Sequence, residues 1–424
     1  MGGKAALIFV MGFGFILSYV SLNLNSMATQ TVGNMAMYNH ATASHDLASA
    51  GANVGLSKFY QDTSWYGSMT QTFTSGPFRG KFTVSTTALP GNLVRLRSVS
   101  TYEPDPSTSL HDTVEVFFSR TKEQSFSMFA WMTNDENGVN WINGDTVWGR
   151  VHSNSTLTIN GKPTFYEKVT TTKNFNPKVG KSPNNAIFKK GYETGVSKID
   201  FPTNLNELIT ASTSGGRRYP GTVWLTISAG TGADDDGKVY VRSTSSGPII
   251  DSIQLNDPMF NGAIVGNSRV NIQGTLDGRL TIGSLTDVYI QNDVVYANQN
   301  TATSNDMLGI VAESNVVVAN NAANNSHCQI QASIFSRTSS FTAENYSTRG
   351  VAGELRLTGS IVQNIRGPVG TFSGSTITSG FSKRYRYDTR LADAQVRPPF
   401  FPGFLVKTLA IANWWESYRV PSFH

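Results

Sequence analysis

The chain has 424 residues, 39% apolar and 15% charged, enough apolar material for a sizeable core and well under the charge fraction of about a quarter usual in soluble domains. Its 39 glycines, 34 asparagines and 11% aromatic residues suit short strands joined by tight turns and argue against a mostly helical enzyme. The net charge of +5 gathers in residues 145–200, with nine Lys/Arg against four Asp/Glu, and in 383–424, with seven against three; neither has the dense basic run of a nucleic-acid patch, so each reads as a solvated face.

Among the first sixty residues only Lys4, Asp46 and Lys58 are charged. The run from Ala5 to Leu24 is apolar except near its end and is about the length that crosses a bilayer as a helix. It passes into residues 25–60 without a proline, unlike the short core of a cleaved signal. A helix is therefore predicted from Ala5 to about Tyr60, roughly 84 Å long at 1.5 Å per residue. Lys4 precedes the apolar run and no Lys or Arg follows until Lys58, which keeps the N-terminus cytoplasmic and exports the remainder. Ala6, Phe9, Gly12, Phe13, Gly14, Ile16, Leu17 and Val20 are the candidate assembly residues of the first half. Ala41, Ala48, Gly51, Ala52 and Gly55, with Ser44, form a stripe of small residues that permits close backbone approach, followed by Phe59 and Tyr60.

Through GKAALIFV at 3–10 and DLASAGANVGLSKFY at 46–60, this segment resembles the type IV pilin superfamily, especially minor pilins with GAALL-like starts. The resemblance implies a half-helix that sits in the inner membrane before assembly and then forms a filament core, and a second half packed on the subunit's own β-sheet. The acidic residue that the superfamily usually carries five places after its cleavage point is absent, because the positions after Gly2 and Gly3 are apolar.

In residues 78–121, Phe82 and Val84, then Leu93, Val94 and Leu96, then Val114, Val116 and Phe118 alternate with polar residues, which predicts three antiparallel strands. Pro90-Gly91-Asn92 marks one turn, and residues 103–109 a longer loop. From Met128 the strand signals become short and regular, as in the pairs Val270/Ile272, Leu280/Ile282 and Val288/Ile290. With no room for crossover helices, they predict a solenoid in which each turn stacks on the last. An internal echo, NSTLTING at 154–161 against NSRVNIQG at 267–274, supports that pattern; a β-sandwich is the second reading.

A further resemblance, to uncharacterised bacterial envelope proteins that join a pilin-like helix to a right-handed β-helix, rests on residues 143–165, QASIFS at 331–336, RGPVGTF at 366–372, KRYRYDTRL at 383–391 and PPFFPG at 398–403. It implies an architecture and no catalytic residues. The expected fold is mainly β: an assembly helix over 1–62, a small antiparallel sheet over 63–125, a right-handed parallel β-helix over 126–395 and a C-terminal cap over 396–424.

Signatures of chemistry are sparse. The six histidines have no metal-ligand spacing, and no nucleophile elbow, P-loop or dinucleotide fingerprint occurs. Cys328, the single cysteine, reads as an inert core residue although His327 adjoins it. Asp234-Asp235-Asp236-Gly237 could hold Ca²⁺ through hard oxygen ligands, but it lacks EF-hand and β-roll spacing and reads as a solvated hairpin turn. No cofactor, metal or catalytic residue is expected. The many Asn and Thr residues can form ladders between turns of a solenoid. The leading expectation is a structural subunit of an extracellular pilus-like filament, with copies of itself and, before assembly, the membrane as partners. The alternatives are a non-polymerising anchored adhesin that binds surface glycans through aromatics such as Trp141, Trp148 and Trp224, and a tethered polysaccharide lyase or hydrolase.

Overall fold

The computed structural model describes residues 2–76, 78–231, 235–374, 376–393 and 396–417. The chain divides into two compact units, Met1–Lys122 with Leu405–His424, and Glu123–Phe404.

In the first unit, helix α1 spans Gly2–Gln61, about 90 Å at 1.5 Å per residue. Strands β1 (Ser68–Phe73), β2 (Gly80–Ala88), β3 (Leu93–Asp105) and β4 (Thr108–Ser125) form an antiparallel meander. The sheet has five strands, because Gly403–Glu416 pairs beside β4. The C-terminal segment expected as a separate cap thus supplies a strand instead: Leu409 and Trp414 pack against the unit's core, and β4 offers the free edge that a strand needs. The turn between β2 and β3 falls at Gly91 and Asn92, both at positive φ (74° and 64°), which these two residue types tolerate. The expected loop over 103–109 is tighter than its polar composition suggests, since β3 runs to Asp105 and β4 resumes at Thr108. The Asp105 carboxylate accepts the Ser107 amide (2.8 Å) and hydroxyl (2.6 Å); with Ser107 and Thr108 as donors, its pKa is held down at about 2.

Alternation along the strands points Phe82, Val84, Val94, Leu96, Val114, Val116 and Phe118 to one face of the sheet, where Leu47, Ala48, Ala52, Leu56 and Phe59 of α1 cover them. Phe59 meets Phe118 edge to face, with ring centroids 5.1 Å apart.

The second unit is built on parallel ladders. One column runs Ile264, Ile282, Ile310, Ile334, Ile361, Trp131, Val151, Val169, Tyr192, each residue directly opposite the next. A second runs Val223, Val270, Val288, Val316, Phe341, and a third Val294, Ile330, Leu357, Tyr385. Apolar residues stacked on like residues bury one continuous core. Parallel pairing of this kind differs from the antiparallel sheets of a β-sandwich. The order also departs from expectation, for the turns do not all stack in sequence: strand Trp131–Asp135 lies between Val351–Ile365 on one side and Val151–Ser153 on the other. The chain enters its own stack in the middle.

Side-chain amides join neighbouring turns beside these columns. Asn134 donates to Asn364 (2.9 Å) and accepts from Asn154 (3.1 Å); Asn321 donates to Gln291 (3.1 Å) and Gln291 to Asn271 (2.8 Å). The sequence echo has a backbone counterpart: its closing glycines, Gly161 and Gly274, have φ of 118° and 119°, a region that residues with a Cβ avoid.

Candidate functional site

Helix α1 has two regimes. From Gly3 to Asn39 every residue is exposed, including the candidate assembly residues Ala6, Phe9, Gly12, Phe13, Gly14, Ile16, Leu17 and Val20. Phe9 is 78% exposed and Ile16 62%. A helix apolar on all sides and exposed on all sides has no stable place in water. It is long and apolar enough to cross a membrane.

From Ser44 onward the helix is fixed to the sheet. Ala48, Gly51, Ala52 and Gly55 are buried there, while Ala41 is half-buried at the start of the stripe. A methyl group placed on Gly51 would meet the Ser98 hydroxyl and lie 2.8 Å from Phe82 Cγ; on Gly55 it would lie 2.6 Å from Val84 and 2.8 Å from Leu96. At Gly12 and Gly14 the same methyl would meet nothing within 4 Å. The two pairs of glycines therefore have opposite surroundings, one closed by the chain itself and one open.

A polar contact that sequence reading missed also holds α1 in the first unit. Ser44 shares a hydrogen bond with Ser100 (2.9 Å). One His45 ring nitrogen lies 2.9 Å from the Asp112 carboxylate and the other 3.4 Å from Glu416, and the Ser417 hydroxyl donates to Asp112 (3.1 Å). His45 thus stands between β4 and the C-terminal strand. Its signal in sequence, one of two histidines in a weakly charged helix, has no distinctive spacing.

In the second unit the tryptophans named from sequence do not converge. Trp141 is buried and Trp148 exposed along one cavity, whereas Trp224 is half-buried on the separate strand Val223–Ser228. Cys328 is buried, and desolvation pushes its thiol up to about 12, so it is not a nucleophile at ordinary pH. His327 is exposed. His152 is buried, with Nδ1 2.8 Å from Thr170 Oγ1 and Nε2 3.0 Å from Asn154 Oδ1; burial holds its pKa below the usual 6.5.

Of the aspartate run, Asp234 lies outside the described residues. Asp235 meets carboxylates distant in sequence: an oxygen from each of Asp235, Asp277 and Asp306 lies within 4.8 Å of the others. Asp306 is buried and accepts from the Gly278 amide (2.7 Å), the Asn298 amide (3.1 Å) and the Ser304 hydroxyl (3.1 Å). Asp277 accepts from the Asp235 amide (2.9 Å). These carboxylates brace turns brought together from three separate segments, a juxtaposition that a local reading of Asp234–Asp236 could not contain.

No protein-family model and no curated protein matches the chain. A solved structure, the competence-associated pilin ComZ from Thermus thermophilus, is similar to it over 89% of this chain and 97% of that one, at 13% sequence identity and a TM-score of 0.38. A likeness of that size leaves the reading of this chain to its own residues.

Proposed function

We propose that the chain is a pilin-like structural subunit: the first half of α1 holds it in the cytoplasmic membrane and then bundles with the same segment of other copies as the core of an extracellular filament. The observation that carries this reading is the division of α1 into an exposed apolar half and a half sealed against its own sheet. A membrane anchor needs about 20 apolar residues, yet exposure continues through Met27, Val32, Met35, Met37 and Tyr38, beyond one bilayer crossing. Helix–helix packing in a filament would cover that surplus. The open backbone at Gly12 and Gly14 fits close approach by a neighbouring helix.

The second unit, in this reading, is a parallel β-helix displayed on the outside. The in-register apolar columns support it, and right-handed crossovers between parallel strands are the rule in about 98% of cases.

The test is Gly12→Leu with Gly14→Leu in producing cells. Bulk is tolerated by lipid and penalised in a close-packed helix bundle by about 1–3 kcal/mol per site. Membrane fractionation should find the variant inserted normally, while electron microscopy of sheared surface material should find far fewer filaments. Wild-type cells without filaments would leave an anchored, non-polymerising protein as the reading.

A further inference from the structure

A cavity of about 650 Å³ opens in the second unit where strand Thr146–Val147 faces strand Thr376–Tyr387. The first of these strands pairs with Thr164–Phe165 and the second with Val351–Ile365; among the described residues no ladder joins them to each other. Its volume lies within the range of about 300–1,000 Å³ typical of small-molecule sites.

The wall chemistry is specific. Trp131 and Trp141 line the interior edge to face, 5.3 Å apart, with Tyr385 stacked on Trp131. Trp148 on the rim is 49% exposed and has one indole face held flat against Tyr166, centroids 3.8 Å apart at 10°. A rigid aromatic plane kept half in water beside a cavity offers its free face to a flat partner. Four cations line the same cavity, Arg366, Lys383, Arg384 and Arg386, against one lining carboxylate, Asp145. Arg366 is neutralised by Glu136 at 2.7 Å and Lys383 by Asp145 at 3.1 Å. Arg384 is 62% exposed and shares Glu354 with Arg356, and Arg386 is exposed with no ion pair among the described residues. The charge surplus therefore sits at the mouth, beside the aromatic rim.

We propose that this cavity binds an acidic saccharide: a sugar ring stacks its C–H face on Trp148, and its carboxylate meets Arg384 and Arg386. A guanidinium matches a carboxylate bidentately. Among the aromatic side chains lining the cavity, Trp148 alone is exposed, while Trp131 and Trp141 are buried; one platform suits a single sugar ring, whereas a single-stranded nucleic acid stacks successive bases on several. The binding does not depend on whether the subunits polymerise.

The test titrates the detergent-solubilised full-length chain with tetragalacturonate, tetramannuronate, neutral maltotetraose and oligothymidylate, followed by tryptophan fluorescence and calorimetry. At least one uronate should saturate the protein about tenfold or more below the concentrations needed for maltotetraose or oligothymidylate. Trp148→Ala should reduce the fluorescence response and weaken uronate binding by about tenfold. Arg386→Gln should lower uronate affinity to that of maltotetraose. Arg386 is exposed with no ion pair among the described residues, so Arg386→Gln should melt as wild type does; Trp148→Ala gives up the stack on Tyr166, and Arg386→Gln keeps the test valid should that variant misfold. Equal binding of maltotetraose, tighter binding of oligothymidylate, no uronate binding in the millimolar range, or binding indifferent to Arg386→Gln would each overturn the proposal.

Discussion

Arg366 and Glu136 are 230 residues apart in sequence, yet their side chains form a 2.7 Å ion pair from which water is almost wholly excluded, with 2% and 1% exposure. Glu136 also accepts from the indole N–H groups of Trp131 (3.3 Å) and Trp141 (3.0 Å) and from the Thr133 hydroxyl. Arg366 lies over both indole rings, 4.3 Å from the Trp141 centroid and 5.2 Å from that of Trp131. Arg366 Nη1 also donates to the Val139 carbonyl (3.1 Å), and the pair ties the end of strand Trp131–Asp135 to the end of Val351–Ile365.

Breaking the pair from one side strands a buried charge. Glu136→Ala should destabilise the second unit by about 3–5 kcal/mol, whereas Glu136→Leu with Arg366→Met should recover most of that loss. Denaturant unfolding followed by tryptophan fluorescence reads both variants. A cost for Glu136→Ala no larger than that of a surface change would show that water or another group compensates the arginine.

The contrast between glycines makes a second prediction. Gly51→Ala and Gly55→Ala should each cost about 1–3 kcal/mol, because the added methyl must displace Phe82, Ser98, Val84 or Leu96. Gly12→Ala and Gly14→Ala meet nothing and should leave the melting temperature of the isolated subunit unchanged. Deleting residues 2–39, all exposed where described, should give a soluble protein with its strand signal intact, while a deletion through Ala52 should lose the first unit.

These glycines also show where the sequence was legible. The apolar first half of α1, the small-residue stripe and the alternation of β2, β3 and β4 are local patterns, and a one-dimensional reading carries them. The insertion of Trp131–Asp135 next to Ile361 is set by pairing across more than half of the chain, and no local periodicity records it. Asp235 illustrates the same limit: its partners Asp277 and Asp306 arrive from other turns, whereas Asp236 adjoins it in sequence. The cavity at Trp148 and Arg386 was hidden likewise, because its two walls come from strands that only the stack brings together.

The thiol of Cys328, buried and shifted to about 12, should resist aqueous thiol reagents at pH 8 in the native protein and react at once in denaturant. Cys328→Ser should cost only about 1 kcal/mol. Rapid labelling of the native protein would mean that the strand His327–Ser336 opens readily.

Asp235, Asp277 and Asp306 should be indifferent to chelator. Asp277 and Asp306 already accept backbone amides, and Asn305 donates to Asp235 (3.2 Å). A cation bound well below its ambient concentration would add a few kcal/mol by mass action. The melting temperature should therefore stay constant on adding EDTA; a fall of many degrees, abolished by Asp277→Asn, would assign a cation to the cluster.

Acid should act through His152. Its folded pKa lies below the unfolded 6.5 because burial disfavours the charged ring. The native state thus binds fewer protons, and this contribution is complete above pH 6.5 and is lost as pH falls toward the folded value. Thermal melts between about pH 7.5 and 5 should show wild type losing stability in that window, with a flatter profile for His152→Gln. Parallel profiles would assign the acid sensitivity to other groups.

The mid-stack entry of the chain bears on how the protein is made. Synthesis runs from the N-terminus, so Trp131–Asp135 exists long before Val351–Ile365, the strand it must pair with. Until then one edge of that strand has no partner, and a long loop must close before the contact forms, which slows folding. The second unit therefore cannot close until residue 365 has been made, and a chain interrupted before it leaves an open β edge, a template for pairing with other chains.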